Sequence, residues 1–283
     1  MDYRTLIDVE TLQQRLNDAR TVLLDCRFSL ADPGAGRQAY RAGHIPGAHF
    51  ADLERDLSAP IDAASGRHPL PDPTLLAQRL AAWGVDAATQ VVVYDDLGGA
   101  MAARCWWLLR WLGHDAVALL DGGLPAWRAA GLPLSSAIPA PAAAYVDLRL
   151  RANWVVDSDA VVANLRAPQF VLVDARAPER FRGEQEPIDP VAGHVPGALN
   201  RPLGSNLATD GRFKPAARLR TEWRALLGQR AVADAVMMCG SGVTACHHLL
   251  ALEVAGLGGA RLYAGSWSEW IRDPARPVAL GQD

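Results

Sequence analysis

The sequence lacks any apolar run near the ~18 residues a helix needs to cross a bilayer. Residues 1–14 lack the basic start and apolar core of an export signal, so a cytoplasmic chain with no membrane partner is expected. There is no excess of positive charge. The formal net charge over 283 residues is −3, whereas a nucleic-acid partner would require a basic face. Cysteine is scarce, at Cys26, Cys105, Cys239 and Cys246. No Cys-x-x-Cys pair and no Cys/His quartet at zinc spacing occurs, so neither a disulfide framework nor a metal centre is expected. The adjacent His247 and His248 would point about 100° apart on a helix rather than to one ion. Apolar residues are abundant, 50% against 21% charged. That suffices for the core of one large domain or two ordinary ones and argues against disorder.

The chain repeats itself. Gly43-His44-Ile45-Pro46-Gly47-Ala48 returns as Gly193-His194-Val195-Pro196-Gly197-Ala198. Upstream, Val22-Leu23-Leu24-Asp25-Cys26-Arg27 returns as Val171-Leu172-Val173-Asp174-Ala175-Arg176, and downstream Leu120-Asp121-Gly122-Gly123 with Trp127 returns as Tyr263-Ala264-Gly265-Ser266 with Trp270. Three landmarks in one order at a spacing of roughly 150 residues mean a duplicated domain, since the period is far too long for a solenoid. Each repeat carries short β-branched runs, as buried parallel strands do, at Thr21–Arg27 and Gln90–Tyr94, then Phe170–Arg176 and Ala235–Met238, and third strands are expected at Ala116–Leu120 and Ala260–Tyr263. Helical stretches at Ala100–Leu112 and Val243–Ala255 separate the second and third of each set, which gives an α/β fold with mainly parallel sheets flanked by helices. The Pro/Ala-rich Ser135–Tyr145 cannot hold a helix through Pro139 and Pro141. The expected division is therefore 1–134, a linker over 135–150, and 151–283.

Ligands of parallel α/β sheets bind beyond the carboxyl ends of the strands. In the second repeat that place holds Met238-Cys239-Gly240-Ser241-Gly242-Val243-Thr244-Ala245. Glycines at 240 and 242 permit a tight loop with inward N–H groups, and the helix that follows adds its positive end. Such a cradle favours a thiolate. The plainer reading of Cys239, a small core residue at a strand end, competes with this one. The first repeat serves as a control: its matching loop, Tyr94 to Ala100, is longer and has no cysteine, as expected of an inactive copy. Phosphatase chemistry would need arginine at position 245, where alanine stands. A cysteine hydrolase needs a histidine base beside the thiol, and no local signature supplies one. A sulfur carrier needs only the acidic thiol and the cradle, and the loop fits that case best.

On these motifs, together with Arg180-Phe181-Arg182-Gly183 and the closing Tyr-x-Gly-Ser-Trp, the whole chain resembles a tandem-domain rhodanese-family sulfurtransferase. The loop Cys-Gly-Ser-Gly-Val-Thr is similar to that of the branch using 3-mercaptopyruvate. The thiosulfate branch typically carries basic residues directly after the cysteine. The resemblance implies two rhodanese-like domains and a ping-pong cycle through a Cys239 persulfide. The sulfur comes from a small donor, 3-mercaptopyruvate or thiosulfate, and passes to a thiol, a thioredoxin-like protein or cyanide. No cofactor is implied. It further implies Arg180 as the substrate-anion ligand, with Gly240, Gly242, Val243 and Thr244 lining the site. Ser241, His68 and Asp52 match a proton relay, although Asp52 could equally cap a turn and His68 could be an ordinary loop residue. His44 and His194, being duplicated, read as structural, as do the Asp25/Arg27 and Asp174/Arg176 pairs.

The chain departs from the family at one point. Where the mercaptopyruvate branch has a second arginine, in a Glu-Pro-Arg-Asp stretch, this sequence has Glu186-Pro187-Ile188-Asp189. Losing one charge-assisted hydrogen bond would cost ~1.5–3 kcal/mol of binding. Arg67 and Arg182 are the candidates to replace it. The alternatives are thiosulfate:cyanide sulfur transfer and a non-catalytic sulfur-relay protein.

Overall fold

A computed structural model of the chain describes residues 2–140, 144–146 and 149–281. It contains two compact units, one made of Met1–Ala59, Leu70–Arg151 and Ala208–Phe213, the other of Pro60–Pro69, Ala152–Leu207 and Lys214–Asp283. Each unit thus borrows a short segment from the other repeat's stretch of sequence. The stretch expected to be a linker joins the first unit at both ends. Ser135 pairs with His44 across an isolated antiparallel bridge, and the N–H groups of Arg149 and Arg151 donate to the carbonyls of Leu112 and Trp111, both at 2.9 Å. Of that stretch, 141–143 (with Pro141) and 147–148 lie outside the described residues.

The first unit holds strands β1 (Leu6–Ile7), β2 (Thr21–Asp25), β3 (Ala48–Phe50), β4 (Gln90–Tyr94) and β5 (Val117–Leu120), in the order β1-β5-β4-β2-β3. The second holds β6 (Val155–Val156), β7 (Val171–Asp174), β8 (Leu199–Asn200), β9 (Ala235–Met238) and β10 (Arg261–Tyr263), in the order β6-β10-β9-β7-β8. Every pairing in both sheets is parallel. The inner strands β4, β5, β7 and β9 are buried along their whole length, as strands of a parallel sheet covered on both faces are, and β2 is buried from Leu23 onward. The short edge strands β1, β3, β6 and β8 escape a sequence reading because so few residues carry no period.

Helices α1 (Val9–Arg15), α2 (Ala35–Ala42), α3 (Pro73–Ala82), α4 (Ala102–Trp111) and α5 (Gly123–Ala129) pack in the first unit. Their counterparts are α6 (Ser158–Arg166), α7 (Pro178–Phe181), α8 (Ala216–Leu227), α9 (Ala245–Val254) and α10 (Ser266–Trp270). Their local determinants repeat. Asp8 Oδ1 takes the N–H of Thr11 at 2.7 Å to start α1, and Asp157 Oδ1 takes that of Ala160 at 2.8 Å to start α6. Trp127 and Trp270 are fully buried in the two cores, and their indole N–H groups donate to the carbonyls of Pro133 and Pro277. All four cysteines are buried and none is in a disulfide. Among the described residues no helix is long and apolar enough to cross a membrane.

The duplicated motifs have a shared structural cause. In each unit the strand next to the central one, β2 or β7, ends in an aspartate whose carboxylate is gripped by the arginine two residues on: Arg27 on Asp25 and Arg176 on Asp174, both at 2.7 Å. The same guanidinium donates to the carbonyl of Gly43 or Gly193, at 2.8 and 2.7 Å. The strand end is thereby tied to the Gly-His-x-Pro-Gly-Ala turn. The histidine of that turn braces it in turn. His44 stacks on Tyr40 and bonds its carbonyl through Nδ1, and His194 stacks on Phe181 and bonds that residue's carbonyl. The structural reading of both histidines and both pairs agrees with this geometry.

Removing one member of such a buried pair strands the other charge, which costs about 3–5 kcal/mol. Asp174→Ala should therefore lower the stability of the second unit by that amount, read as a shift in urea midpoint. An unchanged midpoint would show that Arg176 finds other compensation.

Candidate active site

The loop Cys239–Thr244 joins β9 to α9 and leaves the sheet at its carboxyl end. Cys239 is only 2% exposed. Its loop is pinned from α10: the N–H groups of Trp267 and Ser268 donate to the carbonyls of Cys239 and Gly240 at 3.0 and 2.8 Å. Ser266 completes the fastening. Its hydroxyl accepts from the Cys239 N–H at 3.1 Å and donates to the Tyr263 carbonyl at 2.9 Å. To do so it adopts a φ of +53°, costly for a residue with a Cβ. Gly242 is required for a stronger reason. Its φ is +74°, and a Cβ there would lie 2.2 Å from the Ala264 carbonyl oxygen.

The first unit displays what such a loop holds. Asp95 follows β4 as Cys239 follows β9. Its buried carboxylate accepts from the N–H groups of Leu97, Gly99, Met101 and Ala102 at 2.8–2.9 Å. Burial pushes this carboxyl upward while those donors pull against it. The loop amides and the start of α4 thus form an anion cradle filled by the protein's own side chain. In the second unit a thiol stands at that place. Among the described residues, Ser241, Val243 and Thr244 give their N–H groups to no protein acceptor.

The segment Pro60–Pro69, although drawn from the first repeat's sequence, folds onto this loop as part of the second unit. Gly66 packs so close to Gly265 that a Cβ would stand 2.6 Å from its carbonyl oxygen. The Arg67 N–H donates to Ser268 Oγ at 2.9 Å, and Arg272 Nε donates to the Ser65 carbonyl at 3.2 Å. The following residue, His68, is buried with Nδ1 2.8 Å from Ser241 Oγ. Ser241 and His68 therefore meet as the resemblance implies. Asp52 lies in the first unit, where Oδ2 takes Arg37 Nη2 at 2.8 Å and Oδ1 closes a turn on the N–H groups of Glu54 and Arg55.

Arg180, at the end of α7, directs its guanidinium to the same loop. Its terminal nitrogens lie 3.8 Å from the point a Gly240 Cβ would occupy. Nε donates to both oxygens of Glu186 at 3.0 Å, and Nη2 to Asp189 at 3.0 Å. Burial raises the Glu186 carboxyl, but Arg180 and the N–H groups of Asp189 and Ile188 outweigh it and hold the group below its usual range. Asp189 also pairs with Arg67. Arg182 points elsewhere, to Glu184 at 2.7 Å on the surface, and Ile188 is exposed.

Together these groups offer a thiol in an anion cradle, a Ser–His pair able to pass a proton, and guanidinium groups for a small carboxylate. Sequence reasoning missed Ser266 and Asp189. Ser266 had a signal: its counterpart in the duplication, Gly123, has a φ of +57°, so a serine there departs from the residue the backbone favours. Asp189 gave none, because its role depends on where residues 60–69 fold.

Gly242→Ala should destabilise the second unit by more than about 2 kcal/mol, because a forbidden φ and a clash with backbone act at once. Gly240→Ala should be far milder, since its φ is ordinary and its nearest neighbour is the far end of the Arg67 side chain at 3.1 Å rather than backbone. Thermal unfolding of both variants checks the contrast, and equal losses would refute it.

A rhodanese-like domain model matches residues 8–130 and 157–273. The chain is 54% identical over 283 residues to a probable 3-mercaptopyruvate sulfurtransferase of Pseudomonas aeruginosa, covering 99% of this chain and 100% of that protein. It is 44% identical over 265 residues to a putative thiosulfate sulfurtransferase of Mycobacterium tuberculosis, covering 92% and 90%. The crystal structure of an Escherichia coli 3-mercaptopyruvate sulfurtransferase superposes with a TM-score of 0.80 at 30% identity, over 94% of this chain and 100% of that one.

Proposed function

This chain belongs to the rhodanese family of sulfurtransferases, which move sulfane sulfur through a cysteine persulfide, and we propose that its donor is 3-mercaptopyruvate and its carrier Cys239. On this reading residues 151–283 carry the reaction, and 1–134 are the non-reacting copy, working in the cytoplasm. The observation that carries the reading is the convergence on one loop of Cys239, the Ser241–His68 hydrogen bond and the Arg180 guanidinium.

The Cys239 thiolate attacks the donor's sulfur. A sulfur–sulfur bond forms, the carbon–sulfur bond breaks, and its electron pair leaves on pyruvate as the enolate. Protonation of that enolate at carbon gives pyruvate, and the donor's thiol proton stays on the persulfide. The start of α9 and the loop N–H groups stabilise the thiolate and then the terminal persulfide sulfur. Arg180 holds the donor carboxylate by paired hydrogen bonds. Ser241, bonded to His68, delivers the proton to the enolate. A thiol, a thioredoxin-like protein or cyanide then attacks the outer sulfur and restores the thiolate.

Loading is read directly as a gain of one sulfur in intact mass after a single turnover. Wild type should load faster from 3-mercaptopyruvate than from thiosulfate, and Cys239→Ala should load from neither. Faster loading from thiosulfate would transfer the assignment to the thiosulfate reaction. Loading from neither donor by wild type would leave a protein-fed sulfur relay.

The proton relay has its own signature. Ser241→Ala and His68→Gln should each slow pyruvate release by about 10²-fold or more. Their loading from thiosulfate, which releases sulfite and no enolate, should stay within a few-fold of wild type. Equal losses with both donors would assign the pair to holding the loop rather than moving a proton.

A further inference from the structure

Arg67 takes no part in the steps above, yet its guanidinium is as close to the cysteine loop as that of Arg180. Nη2 lies 3.1 Å from the point a Gly240 Cβ would occupy. Nη1 pairs with Asp189, whose other oxygen holds Arg180 at 3.0 Å. One nearly buried carboxylate, 3% exposed, therefore fixes two guanidinium groups from distant parts of the chain at one glycine. Arg67 Nε is buried and meets no acceptor among the described residues. A buried, charged donor without a partner is expensive, so the fork is incompletely used by the protein itself.

We propose that Arg67 is the second guanidinium that grips the donor's carboxylate, and that it selects a monoanionic 2-oxo acid. The proposal rests on the donor assigned above. Arg67 supplies from the 60–69 segment the charge that Ile188 does not. Gly240 makes room for it, since any side chain there would enter the space of its terminal nitrogen. Charge balance sets the selectivity. Arg67 and Arg180 are matched by Glu186 and Asp189, so the cluster offers directed N–H donors without surplus positive charge. That suits one carboxylate and disfavours a compact dianion. Asp189 is the positioning residue that holds both forks.

The test compares wild type with Arg67→Ala, Arg67→Lys and Arg182→Ala, each first verified as folded by circular dichroism. Arg67→Ala should raise KM for 3-mercaptopyruvate about 10- to 100-fold with kcat within a few-fold. Arg67→Lys, which keeps the charge but loses the fork, should fall between. Arg182→Ala should match wild type. A second readout needs no turnover: alkylation of Cys239 by iodoacetate relative to neutral iodoacetamide, followed by peptide mass. Loss of Arg67 should lower that ratio by about tenfold and leave the iodoacetamide rate nearly unchanged. Wild type turning over 3-mercaptopyruvate while Arg67→Ala keeps its KM and alkylation ratio would overturn the proposal alone. Wild type failing to use 3-mercaptopyruvate would overturn the donor reading and the selectivity with it.

Discussion

Six charges of alternating sign run from the sheet of the second unit to its cysteine loop: Asp174, Arg176, Glu186, Arg180, Asp189 and Arg67. Each is wholly or largely withdrawn from water, and an unpaired charge there would cost several kcal/mol. Each therefore needs its neighbour, and the position of one guanidinium is inherited from the carboxylate before it. The sheet fixes Asp174, Asp174 fixes Arg176, and the order propagates to Gly240. Glu186 lies below the ordinary carboxylate range, so its stabilising contribution is full above the unfolded value of about 4.3 and is lost as pH falls through the lower folded value.

In the first unit, among the described residues, the same chain stops after its first pair. Asp25 and Arg27 tie the strand to the turn as Asp174 and Arg176 do, which is the part both copies need to fold. Beyond that the copies diverge at two linked positions. Asp95 fills its own cradle, and Gly123 accepts the positive φ that seating against the Asp95 carbonyl demands, a Cβ being only 2.3 Å from that oxygen. In the other copy the cradle holds a thiol, and Ser266 takes the strained φ in order to bond the Cys239 N–H. Backbone strain is thus present beside the thiol, at Ser266, and absent where the aspartate sits, since the residue facing Asp95 is a glycine.

The architecture was legible because its determinants are local and doubled. Gln90–Tyr94 and Ala235–Met238 are strands with the bounds their β-branched runs suggest, and the cysteine loop lies where a parallel sheet places its ligands. The serine–histidine contact came only from the family resemblance, since nothing local links residues so far apart in sequence. The clamp was less legible still. Sequence marked Arg67 and Arg182 alike as replacements for the arginine absent at 188. Choosing between them required knowing that residues 60–69 fold with the second unit, a property of tertiary packing that leaves no local pattern.

The same segment changes what an uncharged loop means. Read along the chain, Gly240 and Ser241 offer no positive charge where the thiosulfate branch offers two basic side chains, and the organic donor follows from that contrast. Read in three dimensions, a guanidinium does stand over Gly240, delivered by Arg67. The mere presence of positive charge beside the sulfur therefore cannot separate the two donors. Its compensation can. Basic residues added on the loop would bring charge without partners, a field that favours a dianion and a departing sulfite. Arg67 arrives already paired with Asp189, and Arg180 with Glu186 and Asp189. What remains is directional hydrogen bonding in a nearly neutral cluster, matched to the plane of one carboxylate.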